Sequence, residues 1–299
     1  MSSLRSLSPR GRAAAILGAA TAVALLASAC APKSDTTSSA AATGSASASC
    51  SASSLALYKS GQLTVATDSP AYSPWFDNNA PSDGKGFESA VAYAVAKELG
   101  FSSSQVKWTT ESFDNSYAPG AKNFDFDINE ISITSTRAKA VDFSTGYYDV
   151  NQGVLTLASS KYAKATSLSA LKGAKIGVQV STTSYQAVEN EIKPSGSLSV
   201  YNTTDDEVNA LKNGQVDAIV TDMPTVFYLA SAELTNGKIV GQFNYDGGTP
   251  EQFGLLLQKG SKLTGCVDQA LAKLKSSGEL ASITKQWLAD SADAPELAQ

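Results

Sequence analysis

Arg137 is the residue of this 299-residue chain whose type and placement most directly suggest chemistry. It follows residues 125–133 (DFDINEISI), which alternate polar and apolar side chains, end in β-branched residues and so read as a buried strand. An arginine just past the carboxyl end of a strand lies where open α/β sheets hold small ligands. Its planar guanidinium offers paired donors that fit a carboxylate. Other chemistry has little to work with. The chain has no histidine, which removes Ser-His-Asp and Cys-His catalysis and histidine-ligated metals. Its three cysteines form no Cys-x-x-Cys pair, so the common zinc and redox motifs are absent and no cofactor is expected.

The elements that must position Arg137 alternate short β-branched runs with amphipathic stretches. Residues 63–67 (LTVAT) predict a strand ending at Asp68, and prolines stiffen the aromatic segment 69–76 after it. Residues 88–99 predict a helix, with Val91, Val95 and Leu99 recurring along one face and Gly100 as its stop. A strand at 106–108 follows, with Phe113 on a connecting segment. Strand, helix, strand in this order implies a parallel sheet. After an apolar run at 153–158 the alternation begins again, with a strand at 175–180, a helix at 184–192 ended by Pro194 and a strand at 198–201. Thr204 and Glu207 have capping-box spacing for a helix reaching Lys212, with Gly214 just beyond, and a strand at 216–220 leads to Asp222. A strand at 253–258 (FGLLLQ), helices at 263–275 and 280–288 around Gly278, and a frayed tail complete the chain.

The first 29 residues read as an export signal: Arg5, Arg10 and Arg12, then an apolar stretch, then Ala-Ser-Ala before Cys30. That cysteine is expected to carry a lipid, ordinary signal-peptidase cleavage nearby being the alternative. Residues 30–54 are almost wholly Ala, Ser, Thr and Gly and read as a flexible tether. Without the three signal arginines, 20 basic side chains face 28 acidic ones, a net charge of −8, and no basic patch points to nucleic acid. With Cys30 acylated, Cys50 and Cys266 remain, and in an exported protein they most simply pair.

ISITSTRAKAVDFSTGYY, residues 131–148, resembles the I-T-x-x-R-x-x-x-x-x-F-S-x-x-Y signature of the amino-acid-binding proteins of ABC importers, solute-binding family 3. TDSPAYSPW resembles the family's T-D-x-x-Y-x-P-F segment, with one extra residue before the tyrosine. GKGFESAVAYAVAKELG is similar to its G-F-D-x-D-x-A helix, LKGAKIGVQVSTTS to the opening of its second lobe, and LKNGQVDAIVTD to L-x-x-G-x-x-D-A-x-x-x-D. The resemblance runs from about residue 63 to 288, and the order and spacing of the motifs are more specific than any one of them. It implies an α/β fold of two lobes, the type II periplasmic-binding-protein-like fold, with two parallel-type sheets, flanking helices and a two-strand hinge. Residues 55–153 and 252–290 would form lobe 1, residues 154–251 lobe 2, and residues 291–299 a tail.

By the same resemblance Arg137 grips the ligand's α-carboxylate, Ser132 bonds that end from the strand, and Thr183 adds a backbone donor at a helix start. Asp222 matches the acid that holds the α-ammonium, Tyr72 the aromatic over the ligand's side chain, and Phe113 a pocket wall. A buried zwitterion needs one cation and one anion from the protein. Each assignment has a plainer alternative: a surface arginine, a loop acid or N-cap at Asp222, an N-cap at Thr183, lobe packing for Tyr72 and Trp75. Three departures from the pattern stand out. Asn129 and Glu130 replace small residues, Ser181 replaces a glycine, and YAPGAKNF replaces a helix. With Asp68 and Glu130 facing the pocket, a polar or basic side chain would suit it. The expected protein is a monomeric, extracytoplasmic receptor lipid-anchored to the outer face of the cell membrane, delivering an amino acid to an ABC permease with a separate ATPase. A dehydratase acting on a cyclic carboxylic acid, with Glu130 as general acid, is the alternative.

Overall fold

The structure, a computed structural model, describes residues 50–245, 251–288 and 294–299. The signal segment, Cys30 and the tether up to residue 49 lie outside the described residues. In chain order the elements are β1 (Leu63–Thr67), α1 (Phe87–Glu98), β2 (Val106–Thr110), α2 (Phe113–Ser116), β3 (Phe126–Asp127) and β4 (Val141–Phe143). Then come β5 (Tyr148–Val150), β6 (Gln152–Leu157), β7 (Ile176–Gln179), α3 (Thr183–Ala187), β8 (Ser199–Tyr201), α4 (Thr204–Lys212) and β9 (Ala218–Asp222). The chain continues through α5 (Met223–Tyr228), β10 (Gly237–Phe243), β11 (Glu251–Phe253), β12 (Leu256–Gln258), α6 (Thr264–Ser277) and α7 (Glu279–Leu288). Among the described residues no helix is long and apolar enough to cross a membrane.

Two five-stranded sheets are joined by a two-stranded one. The first has the order β2-β1-β3-β12-β4, and the second β10-β6-β9-β7-β8. Strands β1, β2 and β3 are parallel, as are β7, β8 and β9, as helical connections require. Both sheets are nevertheless mixed, which corrects the expectation of parallel-type sheets. One strand in each runs against its neighbours, β12 in the first and β6 in the second. Those two strands directly follow β11 and β5, which pair antiparallel with each other as the crossing between the sheets. A strand entered from that crossing has no helix to turn it around, so it runs opposite to the strands that do.

Beneath the first sheet, Phe87, Val91 and Val95 of α1, with Leu99 just after it, pack on Val267, Leu271 and Leu274 of α6. Fully burying one such side chain contributes about 2 kcal/mol. Cys50 and Cys266 form a disulfide with Cα atoms 5.4 Å apart. Ala52, Leu55 and Leu57 pack on this core, so the chain is anchored from Cys50 onward and the tether does not extend to residue 54. Gly86 is needed at its position: φ is +90°, and a Cβ there would lie 2.4 Å from the Trp75 carbonyl oxygen. That close approach seats Trp75 against Phe87, Tyr148 and Phe253, with ring centroids 5.5–5.9 Å away.

Four local expectations are corrected. Only Phe126–Asp127 of the 125–133 segment forms a strand, because Glu130 takes φ +53° and breaks the alternation, leaving Ser132 as an isolated bridge to Phe253. The 253–258 run splits into β11 and β12. The cap of α4 is Thr203, whose Oγ1 accepts from the Asp206 N–H at 3.2 Å, while Glu207 faces inward and is fully buried. The final residues do not fray: Leu297 is buried in the second sheet's core and its N–H donates to the Gln242 carbonyl on edge strand β10 at 2.8 Å. An edge strand's unpaired backbone groups give an extended segment a place to dock.

Candidate functional site

Segments at the carboxyl ends of strands converge on one cavity of about 50 Å³. Asp68, Pro70, Tyr72, Phe113, Asn129 and Glu130 line it from the first sheet, and Gln179, Thr182, Thr183, Ser184, Thr204, Thr221 and Asp222 from the second. A wider cavity of about 300 Å³ adjoins it, sharing Asp68, Pro70, Tyr72, Phe113 and Gln179. Seven of the ten residues expected at a site are therefore brought together: Asp68, Tyr72, Phe113, Asn129, Glu130, Thr183 and Asp222. Arg137, Ser132 and Trp75 are not among the lining residues.

Arg137 opens a short 3-10 turn and is 7% exposed. Its Nη1 donates to the Ser132 carbonyl at 2.9 Å and its Nη2 to the Ser181 carbonyl at 3.1 Å, so it ties a first-sheet segment to a second-sheet one. The guanidinium lies over the rings of Phe113 and Tyr117, 5.3 and 4.7 Å from their centroids. Burial lowers its pKa from the usual arginine value. Ser132 Oγ stands 3.4 Å from Thr183 Oγ1 just in front of it. Thr182 rather than Thr183 caps α3, its Oγ1 accepting from the Tyr185 N–H at 3.1 Å. Ser181 takes φ +66°, which explains why the family pattern has a glycine there.

The wall carries acids without bases. Asp68, Glu130 and Asp222 all line the inner cavity, and among the described residues no lysine or arginine does. Asp68 follows β1, and its Oδ2 accepts from the Phe113 N–H at 3.2 Å. Asp222 ends β9, and its Oδ1 accepts from Gln152 Nε2 at 3.0 Å, an amide it shares with Glu251. Burial, then the neighbouring Glu251, pushes Asp222 well above the usual carboxylate range. Burial pushes Glu130 well above it too, reinforced by Glu88 and Asp222. Tyr72 is raised to about 12, chiefly by burial. These acids share one cavity, and a cation bound there would offset their charge.

Several residues of the site go unmarked by motif. Glu88, fully buried on α1, accepts from the Glu130 N–H at 2.7 Å and from the Tyr147 hydroxyl. Its sequence signal is an acid three and seven places before Val91 and Val95, on the helix's apolar stripe. Gln152, between two acids, and Thr225 on α5 carry no such signal. Among the described residues no group of three or more acids or cysteines could hold a metal ion.

The family model for bacterial extracellular solute-binding proteins, family 3, matches residues 63–290. The glutamine-binding protein GlnH of a Bacillus subtilis ABC transporter is 30% identical over 213 residues, covering 70% of this chain and 75% of that protein. An arginine-binding protein of an Escherichia coli ABC transporter is 26% identical, covering 73% and 88%. Among solved structures, an ancestral arginine-binding protein bound to glutamine is similar with a TM-score of 0.65 and 29% identity, covering 77% of this chain and 99% of that one. An ancestral amino-acid-binding protein described as a precursor of cyclohexadienyl dehydratase gives a TM-score of 0.64 at 29% identity, covering 76% and 95%.

Proposed function

The chain belongs to the bacterial extracellular solute-binding proteins of family 3, and on that premise we propose that it captures a polar or basic L-amino acid for an ABC permease. One observation carries the reading: among the described residues the inner cavity is lined by Asp68, Glu130 and Asp222 with no basic side chain, while Arg137 lies over the ring of the lining residue Phe113. In this reading Asp222 holds the α-ammonium. Arg137 turns N–H donors from the Ser132 and Ser181 carbonyls to the α-carboxylate, and Ser132 and Thr183 bond the same end. Tyr72 and Phe113 cover the side chain, whose polar or cationic end meets Asp68, Asn129 and Glu130. Relatives named for glutamine and for arginine fit that range.

The two sheets with their helices are the proposed lobes, residues 55–153 with 252–290 and residues 154–251, and β5 and β11 are the crossing about which they close. Lipidation at Cys30 would hold the protein at the outer face of the membrane, near a permease driven by a separate ATPase. The dehydratase alternative is not retained, since the family is one of binding proteins. A thermal-shift and calorimetric screen of the natural L-amino acids tests the reading. A ligand at a hundred times its dissociation constant adds about 2.7 kcal/mol of stability. A screen in which no amino acid raises the melting temperature overturns it.

A further inference from the structure

We propose that the Thr225 hydroxyl is a latch between the two sheets, beside the tie that Arg137 makes, and that it sets the orientation of Glu130. The inference rests on the reading of the cavity as the ligand site. Thr225 lies on α5, beside the second sheet, and is 3% exposed. Two residues from the first-sheet side converge on its Oγ1. Trp75 Nε1 stands 2.8 Å away and Glu130 Oε2 3.2 Å away.

With Glu130 ionised, the donor count fixes the direction of both bonds. An indole N–H can only donate, so Thr225 Oγ1 accepts from Trp75. The threonine has a single proton, which it gives to Glu130 Oε2. Glu130 is therefore held as an acceptor at Oε2, leaving Oε1 as its other ligand-competent oxygen. The other supports of this carboxylate belong to the first-sheet side. The Glu130 backbone N–H is held by Glu88, and Glu88 by Tyr147, the residue preceding the crossing strand β5. Trp75 packs edge-on against Tyr148 of β5 and Phe253 of β11. Thr225 thus joins the second sheet to a network seated on the crossing strands. Opening the cleft would separate Trp75 and Glu130 from Thr225 together, leaving a buried indole donor to find water.

Thr225→Val keeps the shape and removes both bonds, Thr225→Ser keeps the hydroxyl, and Trp75→Phe keeps the ring without the donor. Dissociation rates and affinities of the full-length protein are measured for L-arginine and L-glutamine. Thr225→Val is expected to speed dissociation about tenfold for each probe that binds, the scale of losing a bond to a carboxyl with a partner left unpaired. Because Thr225 orients Glu130, a wall residue that meets the ligand's side-chain end, the ratio of the two affinities should move along with the affinities themselves. Thr225→Ser is expected within about twofold of wild type, and Thr225→Val in a Trp75→Phe background should cost less than in wild type. Unchanged dissociation in Thr225→Val, or no rescue by serine, overturns the latch. Should wild type bind neither probe, arginine and glutamine are excluded as ligands, and the latch is read from small-angle scattering without ligand. There the valine variant is expected to show a larger radius of gyration than the wild type and serine variant, and equal radii overturn it.

Discussion

The Oε1 atom of Glu88 accepts the backbone N–H of Glu130 at 2.7 Å, so one buried carboxylate holds the turn that presents another to the cavity. Glu130 sits there at φ +53°, a conformation that costs an ordinary residue roughly 1–2 kcal/mol. Glu88 offsets that strain with a bond to the same residue. Tyr147 completes the support, donating its hydroxyl to the same Glu88 oxygen.

Burial raises Glu88 from 4.5 to about 7, more than the bonds from Tyr147 and Glu130 lower it. Between those values the folded protein binds a proton that the unfolded chain has released, so unfolding free energy falls as pH rises across that window. The effect levels off above pH 7 and amounts to roughly 3 kcal/mol if Glu88 titrates alone. Glu130, Asp222, Asp127 and Glu207 are raised as well and act in the same direction. Urea unfolding at pH 5 and pH 8 should therefore show the ligand-free protein more stable in acid. Glu88→Gln, which keeps an acceptor oxygen for Glu130 and Tyr147, should flatten part of that slope and gain stability at pH 8.

Arg137 and Asp222 should be separable by what each does without ligand. Truncating one partner of a buried charge pair costs about 2–5 kcal/mol of binding, so Arg137→Ala should weaken amino-acid binding by at least about 30-fold. Asp222→Asn should weaken it comparably. Without ligand, however, Asp222→Asn relieves the repulsion from Glu251 and should melt no lower than wild type at pH 8. Arg137→Ala removes the donor to the Ser132 carbonyl and leaves the Ser181 carbonyl only the Tyr117 hydroxyl, and it should melt lower. Calorimetric titration with melting curves on both variants checks this. Unchanged affinity in Arg137→Ala removes it from the site.

How much of this was legible in the sequence depended on whether the cause was local. Strand β1 matches its expected bounds, and α1 differs by one residue at each end, because a valine stripe and Gly100 encode them. Asp222 was placed by a motif at the end of a strand. The turn at Glu130 was hidden because its alternation mimics a continuous strand, and the positive φ depends on Glu88 from another element. Thr225 meets Glu130 across 95 residues with no pattern linking them. The reversed strands β6 and β12 follow from the crossing, which periodicity does not report.

The Cys50–Cys266 bond spans 216 residues and ties the start of the described chain to α6. Closing so long a loop restricts the unfolded chain, and removing a native disulfide typically costs about 2–4 kcal/mol. Cys266→Ser, or the wild type in dithiothreitol, should unfold at lower urea by that amount. Alkylation of the unreduced protein should find no thiol at either position. Affinity for an amino acid should change little, since neither cysteine lines the cavity.

Ser181→Gly is expected to stabilise the protein. Ser181 holds φ +66°, its side chain is exposed, and it contributes its backbone carbonyl to Arg137 and to the Tyr117 hydroxyl. Glycine adopts that backbone without the Cβ clash but loses more freedom on folding, so the net gain should be about 0.5–1 kcal/mol. The carbonyl that Arg137 bonds is unaltered, so ligand affinity should stay within about threefold. Urea denaturation with calorimetric titration separates the outcomes. A loss of stability would mean that the serine hydroxyl makes a contribution larger than the strain, and a collapse of affinity would place Ser181 itself among the residues that hold the ligand.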